Sequence, residues 1–100
     1  MTRDKRSARR IPVDCPARIR VDGIGPAFYG QCKDLSVGGM TLHSSFVPRP
    51  DEVVEVTLVP PRSGGSAPAP MVVKAKVRRC HEVEREKVYE IGLEILEVVS

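Results

Sequence analysis

The stretch IPVDCPARIRV, residues 11–21, decides the fold. Ile11, Val13, Cys15, Ala17, Ile19 and Val21 occupy one parity, while Pro12, Asp14, Pro16, Arg18 and Arg20 occupy the other. In an extended chain successive side chains point to opposite faces, so this period of two buries one set and leaves the other in solvent. A half-buried strand is therefore expected. Pro12 and Pro16 have no N–H to give to a ladder, which suits a strand with an open side or a bulge.

The same pattern recurs downstream. Asp22-Gly23-Ile24-Gly25-Pro26 has turn chemistry, and a second strand is expected from Ala27 to about Asp34. A third covers Met40 to Ser44, with Met40 and Leu42 on one face. Between them Ser36-Val37-Gly38-Gly39 makes a sharp connection, where paired glycines permit positive φ and a close backbone approach. After Pro48 to Asp51, the inward set Val54, Val56 and Leu58 alternates with Glu55 and Thr57. PPRSGGSAPAP, residues 60–70, has the composition of a flexible loop. Val73, Ala75 and Val77 then alternate with Lys74, Lys76 and Arg78. A charged link follows through Glu86, after which Tyr89, Ile91, Leu93 and Ile95 alternate with Glu90, Gly92 and Glu94. No segment reads as a helix of three turns; Glu82 to Lys87 could form one turn at most.

Six short strands with one apolar face each, joined by short links, call for antiparallel pairing. A single small sheet would leave its apolar face wet, so closure is the economical solution. The expected fold class is all-β, a six-stranded antiparallel β-barrel over residues 11–99, preceded by a flexible basic arm over residues 1–10.

One hundred residues fit one domain. Tryptophan is absent and the aromatics are Phe28, Phe46, Tyr29 and Tyr89, so valine and isoleucine have to build most of the interior. No apolar run reaches the roughly 18 to 20 residues of a membrane span. MTRDKRSARR at the start is basic without the apolar stretch of a secretory signal, so a cytoplasmic protein is expected. Cys15, Cys32 and Cys80 are odd in number and form no CxxC pair, which argues for reduced, buried thiols over a disulfide or zinc framework.

Charge is unevenly placed. The net +3 of the chain hides a +4 arm, in which Arg3, Lys5, Arg6, Arg9 and Arg10 face Asp4 alone. The remaining residues carry −1, with 11 basic against 12 acidic groups. Such an arm suits phosphate or another acidic partner. For an enzyme the inventory is thin. His43 and His81 lie in no metal-spaced cluster and no nucleophile motif, and there is no phosphate-binding glycine loop ahead of a helix. His43 has outward parity and is expected as a solvated surface histidine; Glu86, Glu90, Glu94 and Glu97 are expected to form a solvated face. Neither an enzyme nor a cofactor is indicated.

Two spacings remain. Arg6 and Arg10 form RxxxR directly before the first strand. If extended, their side chains start about 13 Å apart on one side; if helical, they share a face. Either way two planar forks could grip one anion, or clamp the O6 and N7 edge of a guanine. The bland alternative is a solubilising basic tail. Asp34-Leu35-Ser36-Val37-Gly38-Gly39 forms DxSxxG. Its carboxylate could accept two hydrogen bonds from a guanine, its serine could reach a base edge or phosphate, and its last glycine lacks a Cβ that would block a ligand. The bland alternative here is a capped tight turn.

Taken together, Arg6–Arg10, the IPV that follows at Ile11–Val13 and DxSxxG at Asp34–Gly39 resemble the PilZ domain family. VVKAKVRR at Val72–Arg79 and YEIGLEI at Tyr89–Ile95 look like the closing strands of that family, so the resemblance runs from about Lys5 to Val98. It implies a six-stranded barrel, and binding of cyclic di-GMP, a bacterial second messenger. Carried over, Arg6 and Arg10 are the clamps, Asp34 and Ser36 read the base, and Gly39 gives clearance. Lys5, Arg9 and Gly38 are auxiliary contacts, with Lys5 implying a stacked ligand pair. Arg78 and Arg79 are expected as barrel-surface charges. The implied mechanism is a ligand that neutralises the arm and pins it across the barrel, so changing the surface a downstream protein partner meets. Two alternatives stand beside it: a small basic barrel binding single-stranded nucleic acid, disfavoured by the few aromatics, and a ligand-independent adaptor of PilZ type.

Overall fold

The computed structural model describes residues 10–21, 25–59 and 69–99. Six strands follow in order: β1 (Ile11–Val21), β2 (Ala27–Leu35), β3 (Gly39–Ser44), β4 (Val53–Leu58), β5 (Met71–Glu84) and β6 (Val88–Val98). They close into a barrel in the order β1-β2-β3-β6-β5-β4, and every neighbouring pair is antiparallel. The expected architecture is present, with each strand close to its expected position. The basic arm up to Arg9 and most of the proline- and glycine-rich loop lie outside the described residues, as does the centre of the first turn.

β1 is the strand that closes the ring, pairing with β2 on one side and β4 on the other. Its prolines sit where their missing N–H costs least. The β1–β4 ladder runs only from Ala17 to Val21, leaving Pro12 without a β4 partner, and the β1–β2 register shifts between Pro12 and Cys15. Pro16 contributes its carbonyl instead, accepting from Val59 N at 3.2 Å.

From Cys15 onward the interior of β1 matches the parity of the sequence, whereas Ile11, expected in the inward set, is exposed ahead of the β1–β2 register shift. Cys15, Ala17 and Ile19 of β1 meet Val54, Val56 and Leu58 of β4, Val73, Ala75 and Val77 of β5, and Ile91 and Leu93 of β6 in one buried cluster. Cys32 of β2 and Met40 and Leu42 of β3 complete it. Each fully buried aliphatic side chain contributes about 1.5–3 kcal/mol. Aromatics stay off the centre: Phe28 and Phe46 stack on each other with centroids 4.3 Å apart, and Tyr29 is exposed.

Two expectations need correction. The charged link after Arg78 is strand, not connection: β5 continues to Glu84, and a tight turn at Arg85–Lys87 follows in place of a helical turn. Lys87 N donates to Glu84 O at 2.9 Å, Glu86 adopts φ 59°, and its N–H is met by Glu82 Oε2 at 2.8 Å. His43 is outward but not freely solvated. Its Nε2 lies 3.1 Å from Glu90 Oε1, and His81 Nε2 and Arg79 Nη2 approach Glu90 Oε2 at 3.8 and 4.0 Å. Glu90 is thus a half-buried hub among three basic side chains, where a wet acidic face is expected from the sequence.

The thiols follow expectation. Cys15 and Cys32 are buried, Cys80 is half-buried, and all are free. Burial pushes the Cys32 thiol up to about 12 and raises those of Cys15 and Cys80.

Candidate ligand groove

A single residue of insertion decides where Asp34 points. In the β2–β3 ladder Cys32 faces Leu42 and Asp34 faces Thr41, so Lys33 is an extra residue on β2. Strict alternation from the fully buried Cys32 would turn Asp34 into the core; the bulge turns it outward and lets Leu35 pack against the core instead. Cys32 supports the irregular backbone, its thiol lying 3.4 Å from the Asp34 carbonyl that accepts from it. A thiol held up to about 12 keeps the proton that this contact uses.

Asp34 meets Arg10 there. Arg10 Nη1 lies 2.5 Å from Asp34 Oδ1, with the two side chains 47% and 28% exposed. The last residue of RxxxR and the first of DxSxxG, 24 positions apart in the chain, therefore form one ion pair at the barrel mouth. Arg6, Lys5 and Arg9 lie outside the described residues.

Ser36 and Gly39 close the connection that follows. Ser36 N donates to Gly39 O at 2.8 Å, Gly39 N donates to Ser36 Oγ at 3.1 Å, and Ser36 Oγ donates back to Gly39 O at 3.3 Å. The hydroxyl is a turn clamp, with one lone pair left over. Neither Gly38 nor Gly39 has positive φ, so conformational freedom is not what the pair supplies. Gly39 supplies proximity: a Cβ there would sit 2.7 Å from the backbone oxygen of Leu93 on β6. Its clearance is owed first to strand pairing, where clearance for a ligand is expected from the motif. A Cβ on Gly38 would meet nothing within 4 Å.

These residues line an open groove of about 420 Å³. Its lining is Arg10, Ser36, Gly38 and Gly39 together with Arg78, Arg79, Gly92, Leu93 and Glu94, and Asp34 stands beside it through its pair with Arg10. Arg78 and Arg79 are surface charges, as expected, but they belong to the same hollow as the two motifs. Arg78 is balanced between Asp51 and Glu94, each 3.7 Å away. Among the described residues no group of three or more histidine, cysteine or acidic side chains could hold a metal, and no helix is long and apolar enough to cross a membrane. The chemistry on offer is recognition: forked cations for phosphate or a purine edge, a carboxylate for paired N–H donors, and a flat glycine floor.

A family model described as PilZ domain matches residues 4–100. Comparison with curated proteins returned no match. Among solved structures, the Bacillus subtilis inhibitor of motility MotI/DgrA superimposes with a TM-score of 0.75 at 15% identity, covering 100% of this chain and 45% of that one. The PilZ domain of Escherichia coli YcgR with c-di-GMP gives 0.63 at 13% identity, covering 93% and 79%. The K. pneumonia MrkH–c-di-GMP complex gives 0.65 at 16% identity, covering 96% and 45%. The chain thus spans under half the length of MotI/DgrA and of MrkH.

Proposed function

Because the chain belongs to the PilZ domain family, we propose that it is a receptor for cyclic di-GMP and acts by binding rather than catalysis. Two of the similar structures carry that ligand by name. The observation that carries the proposal is the meeting of Arg10 and Asp34 beside the Ser36–Gly39 turn. A guanidinium and a carboxylate side by side present the complement of a guanine: Arg10 can fork onto O6 and N7 or onto a phosphate, while Asp34 accepts from N1–H and N2–H. Ser36 offers its remaining lone pair at the edge of the same groove. Arg6, with Lys5 and Arg9 as auxiliary cations, completes the grip from the arm.

The relay follows from charge. An arm of net +4 repels itself until a ligand with two phosphates neutralises it. Binding then docks the arm across the barrel and alters the surface met by a downstream protein. The size of that switch equals the preference of the ligand for the docked arm. Calorimetric titration of the chain with cyclic di-GMP, beside a single-stranded oligonucleotide of matched charge, tests the proposal. Micromolar or tighter binding of the dinucleotide, lost in Arg6→Ala, supports it. Equal affinity for the oligonucleotide favours a nucleic-acid binder, and no binding of either favours an adaptor.

A further inference from the structure

Strand parity taken alone would turn Arg79 into the core. Counting from the buried Val77, alternation places residue 79 on the inner face, where a guanidinium would stand unpaired among Val73, Ala75 and Ile91. It does not, because β5 carries a bulge. Val77 faces Leu93 and Arg79 faces Gly92, so two steps on β5 match one on β6 and Arg78 is the extra residue. Both arginines emerge on the outer face, and Cys80 takes the inward place against the core. A bulge that re-aims one side chain next to a site is a built feature rather than an accident of the strand.

Where Arg79 goes is equally specific. A Cβ on Gly92 would lie 2.9 Å from Arg79 Cγ, 3.0 Å from Cζ and 3.0 Å from Nη1. Stem and guanidinium are therefore folded down over Gly92, lying along the sheet with the side chain 55% exposed. Asp34 pairs with Thr41, Thr41 with Gly92, and Gly92 with Arg79, so all four stand in one row across β2, β3, β6 and β5. Three strand spacings separate the ends of that row, roughly 14 Å. The β2 bulge at Lys33 and the β5 bulge at Arg78 aim its two charged ends onto the same wall of the barrel. Arg79 is also the freer of the two adjacent cations. Arg78 is shared by two carboxylates at 3.7 Å, whereas among the described residues the one carboxylate Arg79 approaches is Glu90, at 4.0 Å, and Glu90 is already engaged by His43.

We propose, resting on the cyclic di-GMP assignment above, that Arg79 is a further ligand-binding residue holding the part of the dinucleotide distal to Asp34, and that Gly92 is its positioning residue. The glycine matters because any side chain there would lift the guanidinium off the floor of the groove. Arg79 then supplies a charge-assisted contact to a phosphate or purine edge that neither motif reaches from its own end.

A double-mutant cycle tests this by calorimetry with cyclic di-GMP, with circular dichroism melts confirming that each variant is folded. Arg79→Ala and Arg79→Gln should each weaken binding by about tenfold or more, and Arg79→Lys should restore part of the loss. Gly92→Ala should weaken binding in the parent chain and have no further effect in the Arg79→Ala background. Unchanged affinity in both Arg79→Ala and Arg79→Gln, while Asp34→Ala abolishes binding, overturns the assignment of Arg79 and leaves the receptor standing. An equal loss from Gly92→Ala in both backgrounds overturns the positioning role. A parent chain that binds no cyclic di-GMP overturns the receptor proposal and this one with it.

Discussion

Replacing Asp34 by alanine should separate binding from folding. Its carboxylate belongs to an ion pair whose side chains are 47% and 28% exposed, and pairs of that kind contribute about 0.2–1 kcal/mol to stability. Arg10, once released, is wet enough to be hydrated in place. For a domain of this size, 1 kcal/mol moves the melting temperature by about 4–8 °C, so the fall should stay below about 8 °C. Binding is a different matter. The same carboxylate would accept two hydrogen bonds from one guanine, each worth about 1.5–3 kcal/mol when one partner is charged. Their joint loss corresponds to an affinity reduced by more than about 100-fold. Thermal melts and titration calorimetry on one preparation read both quantities. A variant that melts more than about 15 °C lower would make Asp34 a structural residue. One that keeps its affinity for cyclic di-GMP would remove Asp34 from the recognition scheme altogether.

Other expectations concern the scaffold behind the groove. Gly39→Ala puts a Cβ 2.7 Å from the backbone oxygen of Leu93, which cannot swing away as a side chain could; a loss of about 1–3 kcal/mol in urea unfolding is expected. Leu42→Ala empties a fully buried position of β3 and should cost about 2–5 kcal/mol in the same assay. Stability should also fall in alkali. The unfolded chain releases the Cys32 proton from its ordinary 9.0, while the folded barrel, by burying the thiol, holds it to about 12. The folded state therefore binds more protons in that window, and stability declines with rising pH at up to about 1.4 kcal/mol per unit. Urea midpoints measured across it should flatten in Cys32→Ala, and an unchanged slope would refute the assignment to this thiol.

The strands that alternate were legible because each has one wet and one dry face. β1 and β4 show this best, with Ile19 and Val56 buried and Arg18 and Glu55 outward. Beyond Arg78 the signal vanishes for a physical reason. His81 to Glu84 are exposed, so nothing contrasts with anything, and only ladder hydrogen bonds carry β5 through to its turn. DxSxxG could be found as a spacing, but its role for Gly39 lies in a strand more than fifty residues away, which no local pattern shows. Arg79 was legible as a surface charge but not as a groove residue, because its outward face rests on a bulge that strand parity does not show. Its one trace in the sequence is two consecutive arginines where the inward place would otherwise hold a charge, and a bulge is the ready way to reconcile them.

The paired bulges give β2 and β5 one residue more than their parity needs, and so let the groove tolerate the loss of that residue. Excising Lys33 would restore even alternation to β2 with Cys32 inward, Asp34 outward and Leu35 inward, and excising Arg78 would leave Val77 inward, Arg79 outward and Cys80 inward on β5. Loss of one codon at either place thus keeps both charged side chains on the outer wall, and what such a deletion removes is the bulge, not the direction in which Asp34 or Arg79 faces.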